Sequence, residues 1–301
     1  MVNRPAILVT SAILLSGCAS APPNLPPPTP EAMHQVAIRE LQIERIEQRD
    51  PTENNFIWMG RRLAYLGHYE DAIAEFTHGL ERYPSSFRLL RHRGHRWITL
   101  RRFDLAVDDL SLAASLIEGV PDEVEPDGLP NARNIPTSTS HTNIYYHLGL
   151  AHYLRGEFDS ALAAYEQCMA FSKNDDMRVA TAYWLMLTQR RLGMNDAAGN
   201  TLAPFHPSMD IIENRDYLDL LMLFKHGLTA TFNEHRTDHD SPLPEGVNNA
   251  TRGYGLGMWW MLEQPDGERM ARNLFRRVVN NTPPAAFGHI AAEVELTRLG
   301  N

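Results

Sequence analysis

The side chains that could carry out chemistry include two cysteines, thirteen histidines and a run of acids. His92 and His95 stand three residues apart on a predicted helix, which places both imidazoles on one face, as in some metal sites. Neither this pair nor the pair His141 and His147 has a third ligand at a fixed spacing, and H-E-x-x-H does not occur. We also find no G-x-S-x-G, Walker or Cys/His nucleophile pattern. The sequence therefore predicts a protein that is not an enzyme, with no cofactor and no metal site.

The acids lie in residues 121–141, a stretch that also holds four prolines. Four carboxylates precede Gly128: Asp122, Glu123, Glu125 and Asp127. The D-x-D-x-D-G spacing of a calcium loop is absent, so we expect pairing with an arginine instead: Arg88, Arg91 or Arg93. Loops of this length are uncommon and often functional. Two interpretations stay open: a surface excursion, or a segment that folds against the rest and shapes a groove.

The elements that would position these residues repeat along the chain. Three pairs lie 34 residues apart: Gly60 and Gly94, Tyr69 and Phe103, Ala72 and Ala106. Residues 142–175 contain a third copy, in which Gly149 occupies the glycine position. A glycine inside a helix costs about 1 kcal/mol relative to alanine, so three in register need a packing reason. Close approach of two helices within each unit supplies that reason.

This pattern resembles the tetratricopeptide repeat (TPR), which implies an all-α solenoid of helical hairpins with capping helices at both ends. We predict a capping helix at 31–52, two repeats at 53–120, the insertion at 121–141, and a third and a degenerate fourth repeat at 142–208. Residues 209–301 would hold irregular helices, a late repeat-like unit and a closing helix. The charged residues of that closing helix are expected on a solvated face: Glu293, Glu295 and Arg298.

In this family the first helix of each repeat builds most of the inner face. The resemblance therefore implies a groove lined by Arg61, Tyr65, Arg88, Arg91, His95, Asn143, Tyr146, His147, Tyr153 and Trp184. This face is basic and aromatic although the net charge is −9, so we expect it to attract carboxylates or acidic peptides. Some members grip a C-terminal carboxylate with Lys and Asn, but Ile57 and Arg61 stand at those positions here, and that clamp is not predicted. Alternatively, these residues only solvate the groove or contact the insertion.

The N-terminus predicts a lipid anchor. An apolar run at 6–15 is too short to span a bilayer, which takes about 20 residues. It ends in Leu15-Ser16-Gly17-Cys18, which resembles the bacterial lipoprotein lipobox. That resemblance implies a signal peptide at 1–17 and diacylglyceryl and further acyl chains, such as palmitate, on Cys18. The alternative is an ordinary signal peptide in which this cysteine occurs by chance.

Two further features follow from the lipobox. Residues 18–30 contain six prolines and are expected to form an extended tether to the membrane. Ala19 after the cysteine implies the outer membrane by the enterobacterial sorting pattern, with the body facing the periplasm. Because Cys18 would be lipidated, Cys168 has no partner for a disulfide, and its small-residue position predicts a buried thiol.

The layout as a whole is similar to NlpI-type envelope lipoproteins, although the insertion departs from it. The resemblance implies a membrane-tethered scaffold or adaptor that binds a peptide or protein partner in its groove. The negative net charge argues against a nucleic-acid partner. A second hypothesis is an enzyme or small-ligand receptor whose site lies where the insertion meets the third repeat, at His141, Asn143 and His147. A third is a structural subunit of an export complex.

Overall fold

The computed structural model describes residues 51–126, 131, 133–227 and 245–300, together with Val36 and Glu40. The predicted signal peptide, lipobox and tether lie outside the described residues, as does nearly all of the predicted capping helix. Within that predicted helix, Val36 and Glu40 are helical, and the Glu40 carboxylate lies 3.5 Å from Arg62. No helix in the described ranges is long and apolar enough to cross a membrane.

The described residues are all-α and form a solenoid of helical hairpins of the TPR type. The helices are α1 (Glu53–Tyr65), α2 (Tyr69–Arg82), α3 (Phe87–Thr99), α4 (Phe103–Leu116), α5 (Ser140–Arg155), α6 (Phe158–Phe171), α7 (Asp175–Arg191), α8 (Asn195–Leu202), α9 (Arg215–His226), α10 (Glu245–Glu263), α11 (Glu268–Asn281) and α12 (Phe287–Arg298). Helices α1 to α4 occupy the first two predicted repeats, and α5 to α8 occupy the third and fourth. Helix α8 is short, which agrees with a degenerate fourth repeat.

Side-chain caps fix where several of these helices begin. Ser86 accepts a hydrogen bond from the Leu89 amide (3.0 Å) at the start of α3, and Asn174 accepts one from the Met177 amide (2.8 Å) at the start of α7. At the start of α5, the hydroxyls of Thr139 and Thr142 each accept from the backbone N–H of the other residue. These caps bind amide groups that the first turn of a helix leaves unpaired.

The glycines in register mark where paired helices approach. A methyl group added at Gly94 would lie 2.7 Å from Leu110, and one added at Gly149 would lie 2.7 Å from the ring of Tyr165. A methyl group added at Gly60 would likewise overlap the ring of Phe76, and one added at Gly257 in the late unit would overlap the ring of Phe275. The packing reason predicted for these glycines is therefore confirmed. A ring or a leucine from the second helix of each hairpin fills the space that a side chain would otherwise need.

The second half of the chain folds back over the inner face of the third repeat. The Tyr146 hydroxyl lies 3.0 Å from that of Tyr217 in α9, and the Tyr254 hydroxyl in α10 donates to that of Tyr153 (3.2 Å). The ring of Phe287, at the start of α12, lies 5.6 Å from the ring of His147. One continuous core consequently joins the second repeat to the closing helix. This part of the inner face is therefore covered by the protein's own chain.

The closing helix is held by a buried ion-pair network rather than by apolar contacts alone. The Glu295 carboxylate is 1% exposed and lies between the guanidinium groups of Arg191 and Arg298. Arg298 also donates to the backbone carbonyls of Tyr153 (2.7 Å) and Leu154 (2.9 Å) at the end of α5. The expectation that Glu295 faces solvent is therefore wrong, because α12 lies against α5 and α7.

We expect replacement of Gly149 by alanine to destabilise the protein. The new methyl group would overlap the Tyr165 ring, which is fully buried and has no room to move, and such overpacking costs about 1–3 kcal/mol. Gly199 in α8 is the matched control, because no atom lies within 4 Å of an added methyl group there. Gly199→Ala should gain up to about 1 kcal/mol from helix propensity. Urea unfolding should separate the two variants by about 2 kcal/mol, and equal free energies would contradict the close approach.

Candidate binding groove

The structure divides the ten predicted groove residues into two groups. Tyr146, His147, Tyr153 and Trp184 are at most 7% exposed and belong to the core or pack against it. The Trp184 indole donates to the Tyr146 hydroxyl (2.8 Å), and both rings are covered by α9 and α10. Their assignment to an open groove is therefore corrected: the C-terminal half covers this part of the inner face, and these side chains stabilise the fold.

The other group lies on or beside the inner face of the first two repeats. A cavity of about 150 Å³ opens between α1 and α3, and we call it the arginine pocket; its lining residues are Arg61, Ala64, Tyr65, Phe76, Arg91, His92, His95 and Arg96. Four of the predicted residues are therefore brought together: Arg61, Tyr65, Arg91 and His95. Arg88 and Asn143 lie outside this pocket. Tyr65 is 42% exposed, so its ring is available at the mouth of the pocket.

Aromatic rings orient two of the guanidinium groups. The Arg61 guanidinium lies 4.4 Å from the centroid of the Trp58 ring, and its Nε donates to the Tyr65 hydroxyl (3.2 Å). The Arg96 guanidinium lies 5.6 Å from the centroid of the Tyr69 ring. A cation above a ring face is attracted by the ring quadrupole. Both side chains are thus held at the pocket without a carboxylate.

The positive charge of the pocket is only partly compensated. Arg91 pairs with Glu125 (3.1 Å). The Arg96 guanidinium makes no hydrogen bond and no ion pair to any other residue in the described ranges. Burial, together with the nearby charges of Arg91 and Arg61, lowers the pKa of the Arg96 guanidinium to about 10. The group stays charged at neutral pH, so a positive field remains that an anion would neutralise.

The histidines around the pocket are held neutral. Burial lowers the pKa of His92, His95 and His147 well below the usual value, and the charges of Arg91 and Arg96 lower all three further. The rings of His95 and His147 lie 4.3 Å apart, and Phe287 packs against both. These imidazoles therefore contribute contact surface and not charge at neutral pH.

The described part of the 121–141 insertion folds against the repeats. Glu125 contacts three side chains: Arg91, His92 (3.6 Å) and the Asn143 amide, which donates to it (3.0 Å). Arg61 donates to the Pro126 carbonyl (2.9 Å), which places the segment at the edge of the arginine pocket. Of the two interpretations left open above, the structure shows the one in which the insertion walls a groove.

The far end of the insertion is anchored to the loop before α9. Asn131 and Thr137 both donate to the Glu213 carboxylate (2.6 and 2.9 Å), and Arg133 pairs with Asp210 (2.7 Å). The insertion is therefore fixed at both ends to different parts of the solenoid.

The arginine pairing predicted for the insertion is confirmed for Arg91 only. Arg88 pairs instead with Glu53 (3.2 Å), on the neighbouring helix of the first repeat. Arg93 makes a two-pronged hydrogen bond to Asp109 (2.7 Å for both contacts) within its own hairpin. These two arginines therefore stabilise the repeats, and of the three predicted arginines Arg91 is the one that pairs with a carboxylate of the insertion.

The polar groups of the second hypothesis are engaged within the protein. His141 lies 2.9 Å from Asp122, Asn143 donates to Glu125, and His147 contacts the Asn143 carbonyl (2.5 Å). The cavity beside them is about 140 Å³, below the roughly 300–1,000 Å³ of typical small-molecule sites. Within the described ranges, no three His, Cys, Asp or Glu side chains converge as a metal site.

Cys168 is a core thiol. Its side chain is fully buried, and its Sγ lies 3.2 Å from the Thr181 hydroxyl and 3.4 Å from the Thr142 carbonyl. Burial raises the pKa of the thiol to about 12, which keeps it protonated and unreactive at neutral pH. The prediction of a buried cysteine is confirmed.

No family model matches the chain, and no curated protein matches it. Among solved structures, the chain is similar to YrrB, described as a TPR protein with an unusual peptide-binding site. That match covers 83% of this chain and 97% of the other, with 14% sequence identity and a TM-score of 0.43. The TPR-type assignment here stands on the helical hairpins and their glycine contacts.

Sequence reasoning missed three contributors to the pocket: Trp58, Tyr69 and Arg96. Arg96 follows His95 directly and is not among the predicted groove residues. The three-residue spacing of Trp58 and Arg61 was a usable signal, because residues at this spacing are neighbours on a helix surface.

We expect the protein to lose stability as the pH falls below about 6.5. The unfolded chain binds protons at His92, His95 and His147 near that pH, whereas the folded protein keeps them neutral. At pH 5.5 each histidine should lower the free energy of unfolding by roughly 1.4 kcal/mol relative to pH 7.5. Urea unfolding at both pH values tests this, and His95→Gln should remove about a third of the difference. An unchanged difference in that variant would contradict a neutral, buried His95.

Proposed function

We propose that the protein is a membrane-tethered scaffold that binds an acidic segment of a partner protein on the inner face of its first two repeats. The observation that carries this proposal is the arginine pocket, which holds a cation with no described anionic partner. Guanidinium groups bind carboxylates with strong, directional hydrogen bonds. The inner face of the third repeat is covered by the protein's own chain, whereas the arginine pocket opens on the first two repeats.

The insertion supports this proposal, because it is itself a chain segment bound at the same surface. Arg61 binds its backbone through the Pro126 carbonyl, and Arg91 binds its Glu125 carboxylate. The same two kinds of contact would serve a partner segment. With Arg61 and Arg91 already engaged, Arg96 and the exposed Tyr65 are the groups left for such a segment.

The location follows from the N-terminus. We propose that Cys18 is lipidated and that residues 18–30 tether the repeats to the bacterial cell envelope, at the outer membrane and facing the periplasm. Each buried methylene of an acyl chain contributes roughly 0.8 kcal/mol, so two or more chains give a stable anchor. A tethered adaptor of this kind would hold its partner close to the membrane.

Replacing Arg96 with glutamine should weaken partner binding. A hydrogen bond to a charged group is worth about 1.5–3 kcal/mol, which corresponds to a 10- to 100-fold loss in affinity. The affinity of the tightest binder from an array of acidic nine-residue peptides, measured by fluorescence anisotropy, provides the test. Arg102→Gln is the matched control, because Arg102 is exposed and lies outside the pocket, so it removes the same charge elsewhere.

The Arg96 variant should keep its urea stability, because no described ion pair or hydrogen bond is broken. A loss of affinity with unchanged stability therefore supports the pocket. Equal weakening by the two substitutions would mean that only net charge matters, and no binding by any array member would overturn the proposed function.

Replacing Cys18 with alanine should abolish lipid attachment. When the full chain is produced in a Gram-negative host, we expect an alkyne analogue of palmitate to label the wild-type protein and not Cys18→Ala. Membrane fractionation should then place the wild type with the outer membrane and the variant in soluble fractions. Cys168→Ala is the control, since the Cys168 thiol is buried. Equal labelling of the wild type and Cys18→Ala would contradict the anchor.

A further inference from the structure

The insertion presents a backbone edge that is left unpaired. Residues 122–126, here called the edge segment, run antiparallel to residues 137–140 through a bridge between Val124 and Thr139. The Glu125 amide donates to the Ser138 carbonyl (3.2 Å), and the Ser140 amide donates to the Glu123 carbonyl (2.8 Å). Backbone groups of an extended chain alternate in direction, so the N–H and C=O of Val124 point the opposite way. Neither has a hydrogen-bond partner among the described residues, and Val124 is 61% exposed.

This unpaired edge faces the groove. The Pro126 carbonyl lies on the same side as that of Val124, and it accepts its hydrogen bond from Arg61 in α1. The edge segment also lines a cavity of about 140 Å³ with Phe87, Arg88 and Ile144. That cavity shares Arg91 and His92 with the arginine pocket, so the two spaces adjoin. An extended partner segment bound along both spaces would therefore contact the unpaired backbone of the edge segment at one end and the arginine pocket at the other.

We propose that the edge segment is a docking edge to which an extended acidic segment of the partner adds as a β-strand. The Val124 N–H and C=O pair with the partner's backbone, and a carboxylate two to four residues further along enters the arginine pocket. This inference rests on the proposed function and names the conformation and the chemistry of its ligand.

Two features select this ligand over others. A helical segment satisfies its own backbone groups, so it has none to offer Val124, whereas an extended segment offers one N–H and one C=O at every second residue. The exposed Glu123 disfavours a carboxylate beside it. The partner's acid therefore belongs at the Pro126 end, where Arg61 and Arg96 supply the positive charge.

A scan of N-methylated peptides tests the backbone pairing with the wild-type protein. The probe is the tightest binder from an array of acidic nine-residue peptides, resynthesised with one backbone N–H methylated at a time. Strand addition predicts that methylation of the one amide that donates to the Val124 carbonyl weakens binding by about tenfold or more, whereas methylation of either neighbouring amide, which points away from Val124, is tolerated. Tolerance of methylation at every position, or losses at consecutive positions, would overturn the inference.

A substitution at Val124 tests the same pairing from the protein side. Val124→Pro removes the free N–H, and it leaves the Glu123 carbonyl and the Glu125 amide to keep the bridge to residues 138–140. We expect about a fivefold to tenfold loss of affinity, the equivalent of one hydrogen bond. Val124→Ala shortens the side chain and keeps the N–H, so it should bind like the wild type.

The outcomes separate this inference from the proposed function. Weakening by Arg96→Gln together with equal binding by Val124→Pro and Val124→Ala would keep the peptide scaffold and overturn strand addition. If Val124→Pro disturbs the fold of the insertion, the methylation scan still tests strand addition, because it uses the wild-type protein. If no peptide in the array binds, the proposed function fails and this inference fails with it.

Discussion

Close approach of paired helices at a glycine is the constraint on which the rest of this structure depends. In the hairpins of α1–α2, α3–α4 and α5–α6, one glycine of the first helix lets a large side chain of the second pack against bare backbone. The interhelical distance set there fixes the angle at which successive hairpins stack. The arginine pocket depends directly on this contact in the first hairpin, because Phe76, which packs against Gly60, also lines the pocket.

The late unit uses the same constraint to close the solenoid. Gly255 of α10 meets Leu220 of α9, and Gly257 meets Phe275 of α11, so one helix packs closely on two sides. This packing of α10 places the Tyr254 hydroxyl against that of Tyr153. It also positions α12 so that Glu295 and Arg298 form their ion pair. A charge as buried as that of Glu295 is tolerated because two guanidinium groups pair with it, and losing both would leave an uncompensated charge. The closure also covers the inner face of the third repeat.

The sequence predicted whatever depends on local spacing. Helix positions, the glycine register and the buried Cys168 follow from periodicity, and the contact between Arg91 and the insertion follows from charge. The burial of the predicted groove residues, which the sequence did not predict, depends on contacts between residues far apart along the chain. Tyr153 and Tyr254 are 101 residues apart, and no repeat pattern indicates that they meet. An aromatic residue at an inner-face position has the same pattern whether a ligand or the protein's own chain covers it, so Tyr146, Tyr153 and Trp184 were assigned to a groove.

The charge of the arginine pocket is more informative about its role than its volume is. The chain carries a net charge of −9, yet Arg61, Arg91 and Arg96 converge where burial makes each charge costly. The fold offsets part of that cost with Glu125 and with the rings of Trp58 and Tyr69, and leaves Arg96 without an anion among the described residues. An apolar side chain at that position would serve the packing of α3 better than an unpaired cation. This unpaired cation is the basis of the proposal that the partner is acidic, and an acidic overall surface would discourage such a ligand from binding elsewhere.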